Sequence, residues 1–403
     1  MPFNCSNPED NQLLSDKCIS INDGPTNAWW MSPDIILNDT RDGIQSSASI
    51  PSGASPDTAI QGANNQVTVR AHKSCNPSNS TDVVVELYVA HPGLVFTPTV
   101  NSLQIFQAVI PNDNFNPSAH VTQPWLADHA IPSPQPDPDP KRVHRCLIAR
   151  CYPDNLTASQ EKFCVLEDQH QAQRNIAIVA AQGKNISFFI QTANPNLEFM
   201  ESATIRTIAD LYPSIDVIDT ILPSLKQFEG FRQITQTAPA QFALNVPDKF
   251  SPIIRDSSRP DVSGVFNPKD IGFQDIWQYS VRDGFNIGRL FKAVFNPTAV
   301  LQEAITVQKF NAPLKLLSFQ RAAEFQPAAK LNISKNLLKL VEKAVPTFEA
   351  DIKLPPQEVA GFTFNAELPE DAQPGDAHIF HIMHINENQQ VIGGFTLVAV
   401  TTV

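Results

Sequence analysis

The chain is 403 residues long. Because single hydrophobic cores stop growing at roughly 250–300 residues, two or three domains are expected. Its formal net charge of -12 argues against nucleic acid and anionic lipid surfaces as partners, since both are bound through clustered Lys and Arg side chains. Apolar residues make up 42% of the chain and prolines number 34, which excludes disorder throughout and predicts many short elements joined by proline-marked turns.

The N-terminal residues from Met1 to Asn11 are polar and carry neither the basic nor the apolar region of a secretory signal. No apolar run reaches the roughly 18 residues that would span a bilayer. We therefore expect a protein without a membrane span that is either cytoplasmic or exported by a signal-independent route.

Residues 1–64 are rich in Ser, Asn, Asp and Pro and predict an extended N-terminal arm. One apolar island at 27–39, which contains Trp29 and Trp30, would dock this arm on a neighbouring surface. A plain core contact explains these indoles more simply than an exposed binding site. The alternative is an interaction or ligand-stacking role, for which Trp29, Trp30, Trp125 and Tyr279 would offer aromatic faces.

Apolar and polar residues begin to alternate at 65, as in a half-buried strand. Further strands are predicted after turn-forming stretches. The predicted strands lie at 65–74, 81–93, 101–111, 144–152 and 174–181. Several short strands bounded by turn residues are typical of an all-β sandwich, so residues 65–183 are predicted to form an immunoglobulin-like β-sandwich.

A second β-sandwich is predicted over 184–403, because a strand pattern at 184–196 returns in the last fifty residues. A mixed or helical insertion at about 200–348 interrupts it in this prediction. Pro213 and Pro223 keep any helix near 201–231 short, and better helices are predicted at 296–310 and 332–345. The predicted fold is mainly β, with two sandwich modules, an N-terminal arm and a partly helical insertion.

Five pieces of sequence occur in a recognisable order. They are "WWMSPDI" at 29–35, "NQVTVRAHKSCN" at 65–76, "HRCLIAR" at 144–150, "DQHQAQRNIAIV" at 168–179 and the closing stretch at 368–400. This order resembles the paired immunoglobulin-like modules, of the cell-adhesion-related type, found in bacterial secreted and surface proteins. The resemblance implies spacers, assembly surfaces or ligand-binding appendages, and it implies no catalytic residue.

All six cysteines lie in the first half of the chain. They are Cys5, Cys18, Cys75, Cys146, Cys151 and Cys164. This number is far below the density of a disulfide scaffold, which favours reduced, mostly buried thiols, with one or more disulfides as the alternative. A zinc cluster of His144 with Cys146, Cys151 and Cys164 would have suitable ligands, but the spacing matches no finger or ribbon.

Three histidines, His378, His381 and His384, stand in the apolar stretch "HIFHIMHI". This context favours a strand, on which His378 and His384 share one face and lie roughly 20 Å apart. They would be too far apart to share a metal, so ordinary strand histidines are predicted, with no metal and no other cofactor.

The sequence lacks the usual motifs for nucleotide binding, zincin proteolysis and α/β-hydrolase chemistry. It therefore favours a non-enzymatic structural or interaction protein, with a protein partner or self-assembly through strand edges. The alternative is a carbohydrate- or small-ligand-binding module, with a glycan as the ligand. An enzyme whose site is assembled in the middle region ranks third.

Overall fold

The computed structural model describes residues 5–25, 28–41, 43–52, 54, 56–75, 81–98, 100–127, 142–181, 183–194, 196, 198–211, 213–257 and 346–402. Within these ranges the chain is mainly β, with several sheets and one α-helix. No helix of the described ranges is long and apolar enough to cross a membrane.

The first ten strands lie before residue 175. They are β1 (Ile19–Ser20), β2 (Ile35–Leu37), β3 (Ala59–Ile60), β4 (Asn64–Lys73), β5 (Val83–Ala90), β6 (Ser102–Ile110), β7 (Ser118–Leu126), β8 (Arg142–Val143), β9 (Cys146–Pro153) and β10 (Gln171–Arg174). The later elements are β11 (Ile176–Ala181), β12 (Asn185–Ala193), β13 (Glu201–Ala209), α1 (Ile215–Lys226), β14 (Gln233–Ile234), β15 (Gln241–Asn245), β16 (Ile253–Ser257), β17 (Thr347–Leu354), β18 (Val359–Glu367), β19 (Asp376–Ile385) and β20 (Val391–Thr401).

The first unit packs two sheets face to face. In one sheet β1, β2 and β7 pair with β4, and in the other the order is β10-β9-β5-β6. Odd-numbered residues of β5, such as Val83, Val85 and Leu87, face a shared core with Val67 and Val69 of β4. Burying each such side chain contributes about 1.5–3 kcal/mol, so the period-two pattern fixes which face of each strand points inward.

The second unit packs a large sheet against a small one. The large sheet runs β11-β20-β19-β13-β17-β16, with β14 beside β19, and the small sheet runs β12-β18-β15. Rings from both sheets meet in the core, where the Phe364 and Phe380 centroids are 5.0 Å apart and those of Phe242 and Phe380 are 5.5 Å apart. β11 pairs in parallel with β20, the last strand of the chain.

Helix α1 is short, as its prolines predict. The Ser214 hydroxyl caps it by accepting a hydrogen bond from the Val217 N–H (3.3 Å). Pro223 lies in its last turn, where its missing N–H removes one backbone hydrogen bond to the preceding turn. Val217, Ile221 and Leu225 are buried in the second unit's core, the spacing of a single helical face.

The border between the units differs from the predicted one. The arm is part of the first unit's sheet, because β1 and β2 pair with β4. Residues 176–181 belong to the second unit, because β11 pairs with β20. Much of the predicted insertion also lies in the second unit's sheets, as β13, β15 and β16, while the helices predicted at 296–310 and 332–345 fall outside the described residues.

Candidate functional site

Trp30 occupies the junction between the two units and is 1% exposed. Its indole Nε1 donates a hydrogen bond to Thr396 Oγ1 of β20 (2.9 Å), and its ring meets those of Trp29 and His381 edge-on. Gly394 leaves the space for the indole, since a Cβ there would lie 2.2 Å from a ring carbon. The N-terminal segment is therefore locked onto the second unit.

A buried polar network orients the Thr396 hydroxyl, which accepts the hydrogen bond from Trp30. His381 Nδ1 is 3.0 Å from Thr396 Oγ1, and its Nε2 is 3.0 Å from Asp210 Oδ2. A hydroxyl, an imidazole and a carboxylate are also the groups of a nucleophilic triad. Here, however, Thr396 is fully buried beneath the indole, so the network orients a hydrogen bond inside the core.

A second network joins the units through Asp57. Arg174 of β10 donates to Asp57 Oδ2 (2.8 Å), and Ser224 of α1 donates to the same oxygen (2.6 Å). Burial alone would raise the pKa of Asp57, but the Arg174 charge and these hydrogen bonds outweigh burial and lower it. An ionised carboxylate thus links the first unit to the helix of the second.

The aromatic residues predicted for ligand stacking are buried. Trp29 and Trp30 lie in the junction core at 9% and 1% exposure, and Trp125 lies in the first unit's core at 3%. None of the three presents an open ring face in this structure, so their positions give the stacking hypothesis no support. All three make core contacts. Tyr279 lies outside the described residues.

The three histidines lie on β19 as predicted, and all are buried. They take different partners: His381 contacts Thr396, whereas His384 Nδ1 is 2.7 Å from Thr192 Oγ1 of the small sheet. Burial lowers the pKa of His378 to about 4, which keeps its ring neutral. No group of three or more candidate metal ligands occurs within the described ranges.

Four of the six cysteines form disulfides, Cys5–Cys164 and Cys18–Cys75. The expectation of reduced, buried thiols therefore holds only for Cys146 and Cys151, whose pKa values burial raises far above the ordinary range. Folding brings residues 159 and 57 positions apart to Cα distances of 5.4 and 5.1 Å, which spacing in the sequence does not reveal. Cys164, one thiol of the considered zinc cluster, is bridged to Cys5, and His144 packs on Phe188.

Residues 5–20, here called the N-terminal strap, begin on the outer face of the β10-β9-β5-β6 sheet and end in β1, which pairs with β4. Leu13 packs there with Val84 and Tyr152. A clasp holds the strap: His170 lies between Asp168 Oδ1 (2.5 Å) and Asp16 Oδ2 (2.9 Å). Burial would lower the pKa of His170, but its two carboxylate partners prevail and raise it.

The same outer face carries polar and aromatic groups beneath a covering loop. The Arg150 guanidinium stacks 4.4 Å from the Phe163 ring centroid and 5.4 Å from that of Tyr88. Its Nη1 lies 3.6 Å from Glu86 Oε2. Arg150 has no exposed surface, so this arrangement serves packing and charge pairing.

One groove of about 430 Å³ lies on the open side of the large sheet. We call it the open-face groove; among its lining residues are Ser202, Thr204, Ile253, Asp351 and Lys353. Arg255, which also lines the groove, donates to Glu349 and Asp351 (both 2.8 Å). Ile253 is 64% exposed, and Met200, just before β13, is 60% exposed. Exposed apolar groups beside paired charges are typical of a contact surface.

A second, polar groove of about 640 Å³ includes the outer face of the small sheet. Amide and carboxylate side chains from all three of its strands line it. They are Asn185, Gln241, Asn365 and Glu367. Such groups can donate and accept hydrogen bonds with a polyhydroxylated ligand.

Comparison with known proteins provides little further information. No family model and no curated protein matches the chain. The crystal structure of collagen adhesin (CNA) from S. aureus aligns over 85% of this chain and 88% of that one, at 9% identity and a TM-score of 0.18. We draw no conclusion from so low a score, and the mainly β description rests on the strands themselves.

Several residues that build the junction were missed from sequence. Asp57 stands in an ordinary polar stretch and Ser224 in the last turn of an amphipathic helix, and neither carries a signal. Gly393 and Gly394 do carry one, because two glycines inside a strand indicate close approach of other groups. The backbone of Leu94 lies against Gly393, as Trp30 lies against Gly394.

Proposed function

We propose that this protein is a non-enzymatic interaction protein whose two immunoglobulin-like sandwich modules present surfaces to a protein partner or to further copies of the chain. The observation that carries the proposal is the connectivity of the first unit. In its two sheets, the runs β2-β4-β7 and β10-β9-β5 follow the same order as strands A-B-E and G-F-C of an immunoglobulin-type sandwich, which supports the proposal. Strands β1 and β6 are additional to this order.

The second unit supports the same interpretation. Its chain passes from β12 in the small sheet to β13 in the large one, and later from β18 in the small sheet to β19 and β20 in the large one. Crossings between facing sheets also occur in immunoglobulin-like sandwiches, and they support the proposal for this unit.

The junction supports a role in presenting surfaces at fixed positions. One continuous core contains Trp30, Tyr88 and Ile148 from the first unit together with Phe380 and Phe395 from the second. Units that share a core cannot swing freely, in contrast to domains joined by a linker. Binding of one partner to both units would therefore cost the protein little conformational entropy.

The open-face groove is the proposed contact surface. Ile253 lies on β16, one of the two edge strands of the large sheet in the described part of the chain, and edge strands are common templates for association. An apolar side chain there would anchor the contact, while the Arg255 ion pairs would surround it with polar groups.

The test is the solution mass by light scattering over a range of concentrations, for the wild type, Ile253→Lys and Val109→Lys. Val109 is 54% exposed on the first unit and serves as the matched control. We expect a mass that grows with concentration, and that falls only in Ile253→Lys. A monomer at all concentrations, or an equal effect of both substitutions, would contradict self-assembly through this groove.

A carbohydrate- or small-ligand-binding module is the second candidate, and the polar groove beside Asn365 and Glu367 favours it. A glycan array probed with the wild type and with Asn365→Ala would test it. Binding that is lost in Asn365→Ala but retained in Val109→Lys would support this candidate over self-assembly.

A further inference from the structure

The two disulfides of the first unit differ in their access to solvent. Cys5 and Cys164 are 4% and 1% exposed. Cys18 and Cys75 are half-buried and line an open groove of about 200 Å³. A reducing thiolate must reach a sulfur atom to attack it, so accessible bridges are the ones that exchange. Cys18–Cys75 is therefore the reducible bond of the native fold.

This accessible bridge lies beside the clasp of the N-terminal strap. Asp16 Oδ2 accepts hydrogen bonds from the N–H groups of Cys18 (3.1 Å) and Ile19 (2.8 Å), and it also bonds His170. The Ser74 N–H donates to the Cys18 carbonyl (2.9 Å). The sulfur bond thus fixes the turn that presents Asp16 to His170.

We propose that the Cys18–Cys75 bridge is a redox-sensitive fastening of the N-terminal strap. A dithiol reductant opens it in two steps. One thiolate attacks a bridge sulfur, which breaks the S–S bond and forms a mixed disulfide, and the second thiol then displaces the protein sulfur. The dithiol gives up two electrons and becomes a disulfide, while Cys18 and Cys75 take up protons and become thiols.

Opening this bridge frees the strap without releasing it from the protein. The buried Cys5–Cys164 bond keeps residue 5 tethered, while residues 12–20 lose the bridge that fixes the Asp16 turn. Leu13 then leaves the outer face of β5 and β9, where Val84 and Tyr152 lie beneath it. The device therefore exposes a sheet face in response to reduction, while the core of the first unit stays intact.

The full-length protein would be titrated with dithiothreitol under native conditions and studied by thiol alkylation with peptide mass mapping and by amide hydrogen exchange. We expect alkylated Cys18 and Cys75 at reductant levels that leave Cys5–Cys164 closed. We also expect exchange over 12–20 to rise at least about tenfold, with no change in β5 or β9. Simultaneous opening of both bridges, or unchanged exchange over 12–20, would overturn the proposal.

A variant separates the bridge from other effects of the reductant. Cys18→Ser with Cys75→Ser should show the raised exchange over 12–20 without dithiothreitol and should respond no further to low reductant. If this variant exchanges like the oxidised wild type, the bridge does not fasten the strap.

Discussion

Asp57 is the residue at which a buried charge joins the two units. Its only described cationic hydrogen-bond partner is Arg174, which is itself buried. Breaking a buried ion pair from one side leaves the other charge uncompensated. The contribution of Asp57 to the free energy of unfolding therefore depends on whether Arg174 is present.

We predict that Asp57→Asn lowers the free energy of unfolding by about 3–5 kcal/mol, because the Arg174 charge stays buried without its counterion. Chemical denaturation at neutral pH would measure this change, with Asp113→Asn at an exposed turn position as the control. The double variant Asp57→Asn with Arg174→Met should recover part of the loss. A loss below about 1 kcal/mol in the single variant would show that the pair contributes little.

Two buried histidines, whose pKa values are shifted in opposite directions, make the free energy of unfolding depend on pH. His378 has a pKa lowered from 6.5 to about 4 by burial, so its stabilising effect is complete above pH 6.5 and is lost as the pH falls toward 4. His170 has a raised pKa, so its effect is complete below pH 6.5 and is lost as the pH rises through its folded pKa. The contribution of either histidine to this pH dependence is measured by comparing its variant with the wild type.

We therefore predict that His378→Phe flattens the loss of stability between pH 6.5 and 4, by up to about 3 kcal/mol. Denaturation at a series of pH values, compared with His120→Phe at an exposed strand position, would measure the difference. If the His378→Phe and wild-type profiles stay parallel over this range, His378 is not buried as a neutral group.

At the scale of elements, β16 and β17 form an antiparallel pair whose connection is residues 258–346. Ser257 lies opposite Thr347, and paired residues of this kind have Cα atoms about 4.5–5.5 Å apart. The two ends of the connection therefore meet. A tight hairpin turn spans the same gap.

We predict that replacing residues 258–345 by Gly-Asn-Gly leaves the sandwich of the second unit intact. Pro346 is kept, because its carbonyl accepts a hydrogen bond from the Ala209 N–H (3.1 Å). The shortened protein should keep its cooperative thermal unfolding and strand-type circular dichroism. Loss of cooperative unfolding would mean that this segment contributes to the core.

For the whole molecule, the N-terminal residues connect parts that are distant in sequence. They supply one half of each disulfide, two strands of the first unit and the Trp30 contact with the second unit. Their removal would therefore affect both units.

We predict that deleting residues 1–40 lowers the free energy of unfolding by more than about 5 kcal/mol, since a buried Trp contributes about 3–5 and each disulfide about 2–5 kcal/mol. Differential scanning calorimetry would measure this against a protein that begins at Cys5. Unchanged stability after the larger deletion would rule out the docking of this segment.

How far the fold is predictable depends on how local each signal is. The strands at 65–74, 81–93 and 101–111 are confirmed as β4, β5 and β6 within a few residues. They were predictable because the alternation of apolar and polar residues is a pattern of adjacent positions in the sequence. β7 was missed, since "SAHVTQPWL" has a proline and no clean alternation. It forms because β4 supplies nine paired positions, a tertiary contribution that outweighs local preference.

The sequence by itself determined the mainly β class and the strand character of the histidine stretch, since both follow from short-range patterns of hydrophobicity. The tertiary structure alone decided the partners: Cys5 with Cys164, Asp57 with Arg174, β11 with β20, and Trp30 with Gly394. Each pair joins residues more than a hundred positions apart. Such contacts form only when the whole chain has packed, because the free energy that selects them comes from burying surface shared by distant segments.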